Sequence, residues 1–164
     1  MNQAKILIVE DEFVVADDIE ARLLDLGYAV AGKANSGAEA IELAESHSPD
    51  LVLMDIHLRG LMDGITAATE IRQRFKLPVV FLTAYADEST LERAKVAEPF
   101  GYILKPFEDR ELRTNIEIAV YKHKAESEIR RLSRLYATLS QVNQAIVRLR
   151  SREELFPKIW ELYT

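Results

Sequence analysis

Over the first 120 residues, five short apolar runs alternate with segments of helical periodicity, and this alternation restricts the fold more than any other feature of the chain. "KILIVE" (5–10), "YAVAGKA" (28–34), "LVLMD" (51–55), "PVVFLT" (78–83) and "GYILK" (101–105) have the length, and mostly the β-branched content, of strands. Between the first two, "EFVVADDIEARLLDLG" places Val15, Ile19, Leu23 and Leu26 at spacings of four, four and three. It stops at Gly27, where a helix C-cap is expected. Three more helices are read in the same way: "SGAEAIELAESHS" behind a Ser36 cap, "GITAATEIRQRF" from Gly64, and "DESTLERAKVA" behind an Asp87 cap. A final helix begins near Glu108. Parallel strands joined by right-handed crossovers, with helices covering both faces, are the arrangement such alternation implies. The expected fold is therefore α/β, a doubly wound five-stranded parallel sheet of about 120 residues with an extended C-terminal helix.

The 164 residues hold one such domain and roughly forty residues more. With 48% hydrophobic residues, the chain has enough apolar surface to fold and is not of the disordered class. There is no cysteine, which excludes a disulfide framework, a thiolate metal site and a cysteine nucleophile together. No apolar run approaches the ~18 residues of a membrane span, and "MNQAKILIVEDE" meets acid too soon for a signal peptide, so a cytoplasmic protein without membrane contact is expected. Charge is unevenly spread. Residues 1–120 carry 12 basic and 22 acidic side chains, a net −10, whereas residues 121–150 carry 7 and 2, a net +5. The acidic first part argues against non-specific binding to a phosphate backbone. The basic stretch with Arg130, Arg131 and Arg134 reads as a solvated helix face rather than a nucleic-acid surface.

Ligands of a doubly wound sheet sit beyond the carboxyl ends of its strands. At those ends stand Glu10 and Asp11, then Asp55, Thr83 and Lys105. Singly, each has an ordinary reading: a helix cap, a turn cap, a β-branched strand residue, an exposed terminus. Jointly they gather three carboxylates, a hydroxyl and an ammonium in one crevice. Clustered carboxylates repel unless a cation lies among them. All-oxygen donors with no His or Cys at ligand spacing select a hard cation, Mg²⁺ ahead of Mn²⁺ or Ca²⁺. Because Mg²⁺ is usually bound by one or two carboxylates plus phosphate oxygens, the cluster points to phosphoryl chemistry.

"VEDE" with Asp11, "LMDIHLRGLMDGI" with Asp55, "FLTAYAD" with Thr83 and "GYILKPF" with Tyr102, Lys105 and Pro106 resemble the receiver domain of two-component response regulators, in order, over residues 4 to about 121. The resemblance implies a flavodoxin-like receiver fold in which Asp55 takes a phosphoryl group from a sensor histidine kinase or a phosphotransfer protein. It implies Mg²⁺ bound directly by Asp11 and Asp55, by Glu10 through a water, and by the backbone carbonyl of His57. Thr83 would hydrogen-bond one phosphoryl oxygen and Lys105 would pair with another. Pro106 would follow a cis peptide bond that aims the lysine. Thr83 would shift towards the phosphoryl group and Tyr102 would swing inward, rearranging the face of the fourth helix, fifth strand and fifth helix. Such a domain signals rather than turns over a substrate, while assisting its own phosphorylation and dephosphorylation. Tyr85 and His57, each two residues beyond a site residue, are candidates for setting the lifetime of the phosphate. His47 and His123 lack ligand company and are expected to be solvated.

Three rival functions fit the sequence less well. A Mg²⁺-dependent aspartyl-phosphate phosphohydrolase would want a second acid two residues after the nucleophile, where this chain has His57. A flavin module would want a Ser/Thr/Gly-rich phosphate loop after the first strand, where "EDEFVV" is acidic. A receiver used only for dimerisation has no need of an intact Asp55 and Lys105.

Between Phe107 and Phe156 there is neither Gly nor Pro. This region is expected to form one helix, or two joined near residues 121–128 where the apolar stripe lapses. Ile129, Leu132, Tyr136, Leu139, Asn143, Ile146 and Arg150 then follow a three-four alternation, a near-heptad seam with two polar members. A homodimer through this segment is expected, with packing onto a downstream domain as the alternative. "SREELFPKIWELYT" begins a further helix, with Ser151 and Glu154 at capping-box spacing. With "LYATLSQVNQAIVRLRS" it resembles the opening of a GAF-type sensory domain, which needs far more chain than remains here. The expected domains are thus a receiver at 1–121, a helical linker and possible coiled coil at 122–150, and the start of a truncated output domain at 151–164.

Overall fold

The structure is a computed structural model that describes residues 3–84 and 88–161, with backbone alone at 88, 91, 145 and 148–161. Its elements follow the order β1 (Lys5–Val9), α1 (Phe13–Asp25), β2 (Ala29–Ala34), α2 (Gly37–His47), β3 (Leu51–Asp55), α3 (Gly64–Phe75), β4 (Val79–Thr83), α4 (Glu88–Val96), β5 (Gly101–Leu104) and α5 (Asp109–Glu161). By contacts the chain divides into two units, residues 1–123 and 124–164.

In the first unit the five strands are all parallel and run in the order β2-β1-β3-β4-β5. Because side chains alternate across a strand, a sheet covered on both faces needs apolar residues at every position. β3 and β4 are buried at all positions. Leu7, Val9, Val52, Met54, Val79 and Phe81 face one core with α2 and α3. Their sequence neighbours Ile6, Ile8, Leu51, Leu53, Val80 and Leu82 face a second core with α1 and the start of α5. The expected periodicity of α1 holds at Ile19 and Leu23, which are fully buried. Gly27 takes φ +85° just beyond α1, the left-handed turn that a side chain would strain. Ser36 caps α2 by accepting from Glu39 N–H at 3.3 Å. Asp63 caps α3 by accepting from Thr66 N–H at 2.9 Å. The expected Asp87 cap lies outside the described residues.

α5 is continuous from Asp109 to Glu161, with neither a joint at 121–128 nor a new start at Ser151. An N-cap needs extended backbone at the capping residue. Ser151 is held inside a helix, and nothing in "LRSREE" interrupts one. His123 is not solvated, contrary to expectation: it is partly buried, and its ring meets Phe100 edge-on at 6.0 Å. It lies seven residues after Ile116 on the stripe that buries Leu112, Ile116 and Ala119, which its Lys neighbours conceal in the sequence. In the second unit Leu132, Leu135, Leu139, Val142 and Ile146 are all exposed, as are Ile129, Tyr136 and Val147.

Candidate functional site

The strand order reverses between β1 and β3, which makes the carboxyl ends of those strands the crevice of the sheet. β1 ends at Val9, paired with Met54 of β3, so Glu10, Asp11 and Asp55 emerge side by side. One carboxylate oxygen from each lies within 4.8 Å of the other two. Asp55 and Glu10 are buried, although both are acids.

Lys105 supplies the cation that both buried acids pair with. β5 lies beside β4, and the backbone N–H of Lys105 donates to the carbonyl of Thr83 at 2.8 Å, which fixes the lysine at the end of the sheet. The Lys105–Pro106 peptide bond is cis. The ammonium reaches back to donate to Glu10 Oε2 at 2.5 Å and to Asp55 Oδ2 at 2.6 Å. Asp55 Oδ1 accepts the backbone N–H of His57 at 2.8 Å, and Glu10 Oε1 accepts that of Glu12 at 3.3 Å. The acids are thus held by charge-assisted hydrogen bonds rather than left bare in a core. Burial pushes the Glu10 carboxyl above its ordinary range; the bond to Lys105 opposes this and the Asp55 charge adds to it. Burial would lower Lys105, but the bonds to Asp55 and Glu10 outweigh it and raise the ammonium's proton affinity.

Of the residues singled out in the sequence, the structure brings Glu10, Asp11, Asp55 and Lys105 together. Thr83 is fully buried at the end of β4. His57 contributes its backbone amide while its side chain is exposed. Tyr102 is half-buried, with its ring 5.8 Å from that of Phe81, and burial raises its phenol's proton affinity. Tyr85 lies outside the described residues.

Two residues at the site escaped the sequence reading. A Cβ built on Gly64, the first residue of α3, would stand 1.8 Å from the carbonyl oxygen of Asp55. That glycine lets α3 start flush against the end of β3. Its sequence signal is its position directly after the capping Asp63 in "MDGI". Arg59 places Nε 3.3 Å from Asp11 Oδ2. Nothing in a loop arginine four residues after Asp55 separates it from any other surface cation.

A doubly wound sheet with an acidic crevice closed by a lysine defines a class of α/β domain that handles charged groups at its switch point. The pattern described as "Response regulator receiver domain" matches residues 6–117, more than half of the chain, and the chain belongs to that family as a receiver domain of two-component signalling. Over 137 residues it is 42% identical to the Transcriptional regulatory protein PdtaR of Mycobacterium tuberculosis, covering 84% of this chain and 65% of that protein. The chain therefore spans just under two thirds of that relative's length. The signal receiver domain of a modulated diguanylate cyclase from Desulfovibrio desulfuricans G20 superimposes with a TM-score of 0.74 at 38% identity, over 76% of this chain and 99% of that one. The N-terminal domain of a response regulator/sensory box/GGDEF 3-domain protein from Carboxydothermus hydrogenoformans does so with a TM-score of 0.69 at 39% identity, over 75% of this chain and 98% of that one. Among the described residues, no helix is long and apolar enough to cross a membrane.

Proposed function

We propose that Asp55 is the phosphoacceptor of this receiver, taking its phosphoryl group from the phosphohistidine of a sensor kinase or phosphotransfer protein. The observation that carries this is the double contact of Lys105 Nζ with Glu10 and Asp55, which puts a fixed cation beside the carboxylate that would attack. In the transfer an Asp55 oxygen bonds to phosphorus and the bond to the partner's histidine nitrogen breaks, leaving an acyl phosphate. Positioning and charge stabilisation supply most of the catalysis in such steps. Asp55 loses its carboxylate charge on esterification, and negative charge reappears on the phosphoryl oxygens. Lys105, already bonded to Oδ2, is placed to follow it.

The three carboxylates offer the all-oxygen donor set that a hard divalent cation takes. Mg²⁺ would be held by Asp11 and Asp55, by Glu10 through a water and by the His57 carbonyl, and when bound it neutralises phosphoryl oxygens. Thr83 would bond a further phosphoryl oxygen, with Tyr102 responding from the neighbouring strand. Acetyl phosphate with Mg²⁺ is expected to label the wild-type chain and leave Asp55→Asn unlabelled, as read by intact mass and acid-labile phosphate. Equal labelling of the two would remove Asp55 from this role.

The signal would pass along α5 to an output module, with residues 151–164 as the opening of a GAF-type domain and the whole chain paired as a homodimer. Exposed apolar residues on the second unit support pairing. Leu132, Leu135, Leu139, Val142 and Ile146 are spaced three, four, three and four, giving an uninterrupted apolar seam that replaces Tyr136 and Asn143 of the expected one. Light scattering on the full chain should report a dimer that Leu135→Gln with Val142→Gln converts to monomer. A variant that stays dimeric places the contact elsewhere.

A further inference from the structure

We infer that Arg59 is a built-in competitor for the metal position at Asp11, and so a residue that sets how much Mg²⁺ the receiver needs. This rests on the reading of Glu10, Asp11 and Asp55 as the Mg²⁺ site. Arg59 stands in the loop between β3 and α3, and its Nε lies 3.3 Å from Asp11 Oδ2. Its side chain is 86% exposed while that of Asp11 is only 11% exposed, so a solvated cation pairs with a carboxylate that is largely withdrawn from water. Each of the three acids then has a cationic partner from the chain itself: Lys105 bonds Glu10 and Asp55, and Arg59 pairs with Asp11.

The two cations differ in what they can give up. Lys105 is four-fifths buried and divided between two acids, and no other acid among the described residues is shown contacting it. Among the described residues Arg59 pairs with Asp11 alone, through a long contact, and 86% of its side chain is exposed. A divalent ion ligated by Asp11 must therefore displace or reorient Arg59 at the oxygen it occupies, and the guanidinium, though screened by solvent, repels the incoming charge. Both effects weaken the ion, and neither requires Arg59 to hold the fold together. Exposed ion pairs are weak, so the competition is modest and salt-sensitive.

Mg²⁺ titrations of the whole chain by isothermal calorimetry test this. Arg59→Ala is expected to bind Mg²⁺ roughly two- to tenfold more tightly than wild type at low salt. Arg59→Lys should stay near wild type, and the gain in Arg59→Ala should shrink at about 0.5 M KCl, where the Debye length falls to a few Å. Equal or weaker binding by Arg59→Ala overturns the competitor role. Asp11→Asn separates the two layers of the reading: it should lose most Mg²⁺ binding. Unchanged affinity there, or no saturable binding by wild type, overturns the metal site itself and the competitor role with it.

Discussion

Gly64→Ala is expected to destabilise the receiver by about 3 kcal/mol, the upper end of overpacking costs, and to lower its melting temperature by roughly 10 °C. The added methyl would sit 1.8 Å from the Asp55 carbonyl oxygen, 2.9 Å from its carbonyl carbon and 3.1 Å from Ile56 Cα. All three are backbone atoms at the end of β3, so no side chain can rotate out of the way. The strand or the helix start must move, and Gly64 N–H donates to the Ile56 carbonyl at 3.1 Å, so the contact that ties them stretches too. Gly27→Ala makes the comparison. It meets open space at φ +85°, so it carries only the backbone strain of the left-handed region, about 1 kcal/mol. Thermal or urea melts of the two variants should therefore rank Gly64→Ala well below Gly27→Ala. A Gly64→Ala protein melting within a degree or two of wild type would mean that α3 does not need its close seat. Because the displaced backbone carries Asp55, the same variant should also label poorly with acetyl phosphate.

The contrast between Gly64 and the strands shows which parts of this molecule can be read from residues in order. Strands buried on both faces leave a local trace, since every position from Leu51 to Met54 and from Val79 to Leu82 must be apolar whatever its neighbours are. The acids at the strand ends leave one as well, because carboxylates directly after such runs contradict the burial pattern. The sequence therefore names Glu10, Asp11, Asp55 and Lys105, and the fold brings them together. What distinguishes Gly64 is a distance to a backbone eight or nine residues earlier, and what distinguishes Arg59 is an acid forty-eight positions away. Neither is encoded in a local period. The tail is less determinate: two seams share Leu132, Leu139 and Ile146, one running through Tyr136 and Asn143 and the other, more apolar, through Leu135 and Val142. A helix lacking a defined partner gives its stripe no single facing direction, so periodicity alone does not select between adjacent positions.

Removing Lys105 should have an effect of similar size for the opposite reason, a charge left behind rather than an atom added. Its partners are among the least accessible acids of the receiver: the Glu10 side chain is 2% exposed and that of Asp55 is 10%. Lys105→Ala strips both of their cation, and breaking a buried pair of this kind costs about 3 kcal/mol or more. The pH dependence fixes the cause. Glu10 already has a folded-state pKa raised by burial, so its ionisation opposes folding: stability is favoured below its unfolded value and falls as pH rises through the folded one. Without Lys105 that penalty grows, and the deficit of Lys105→Ala relative to wild type should be widest at neutral pH and narrow towards pH 4, where Glu10 takes up its proton. Lys105 itself has a raised pKa, so its contribution in wild type is complete below its unfolded value and is lost only as pH climbs through the still higher folded one. A double variant separates charge from packing. Glu10→Gln in the Lys105→Ala background removes one of the two stranded charges and should recover about 1 kcal/mol, a positive coupling between contacting sites. If the double variant is no more stable than Lys105→Ala, and the deficit is flat with pH, the lysine's value lies in the packing of its stem, and the electrostatic account of the crevice does not hold.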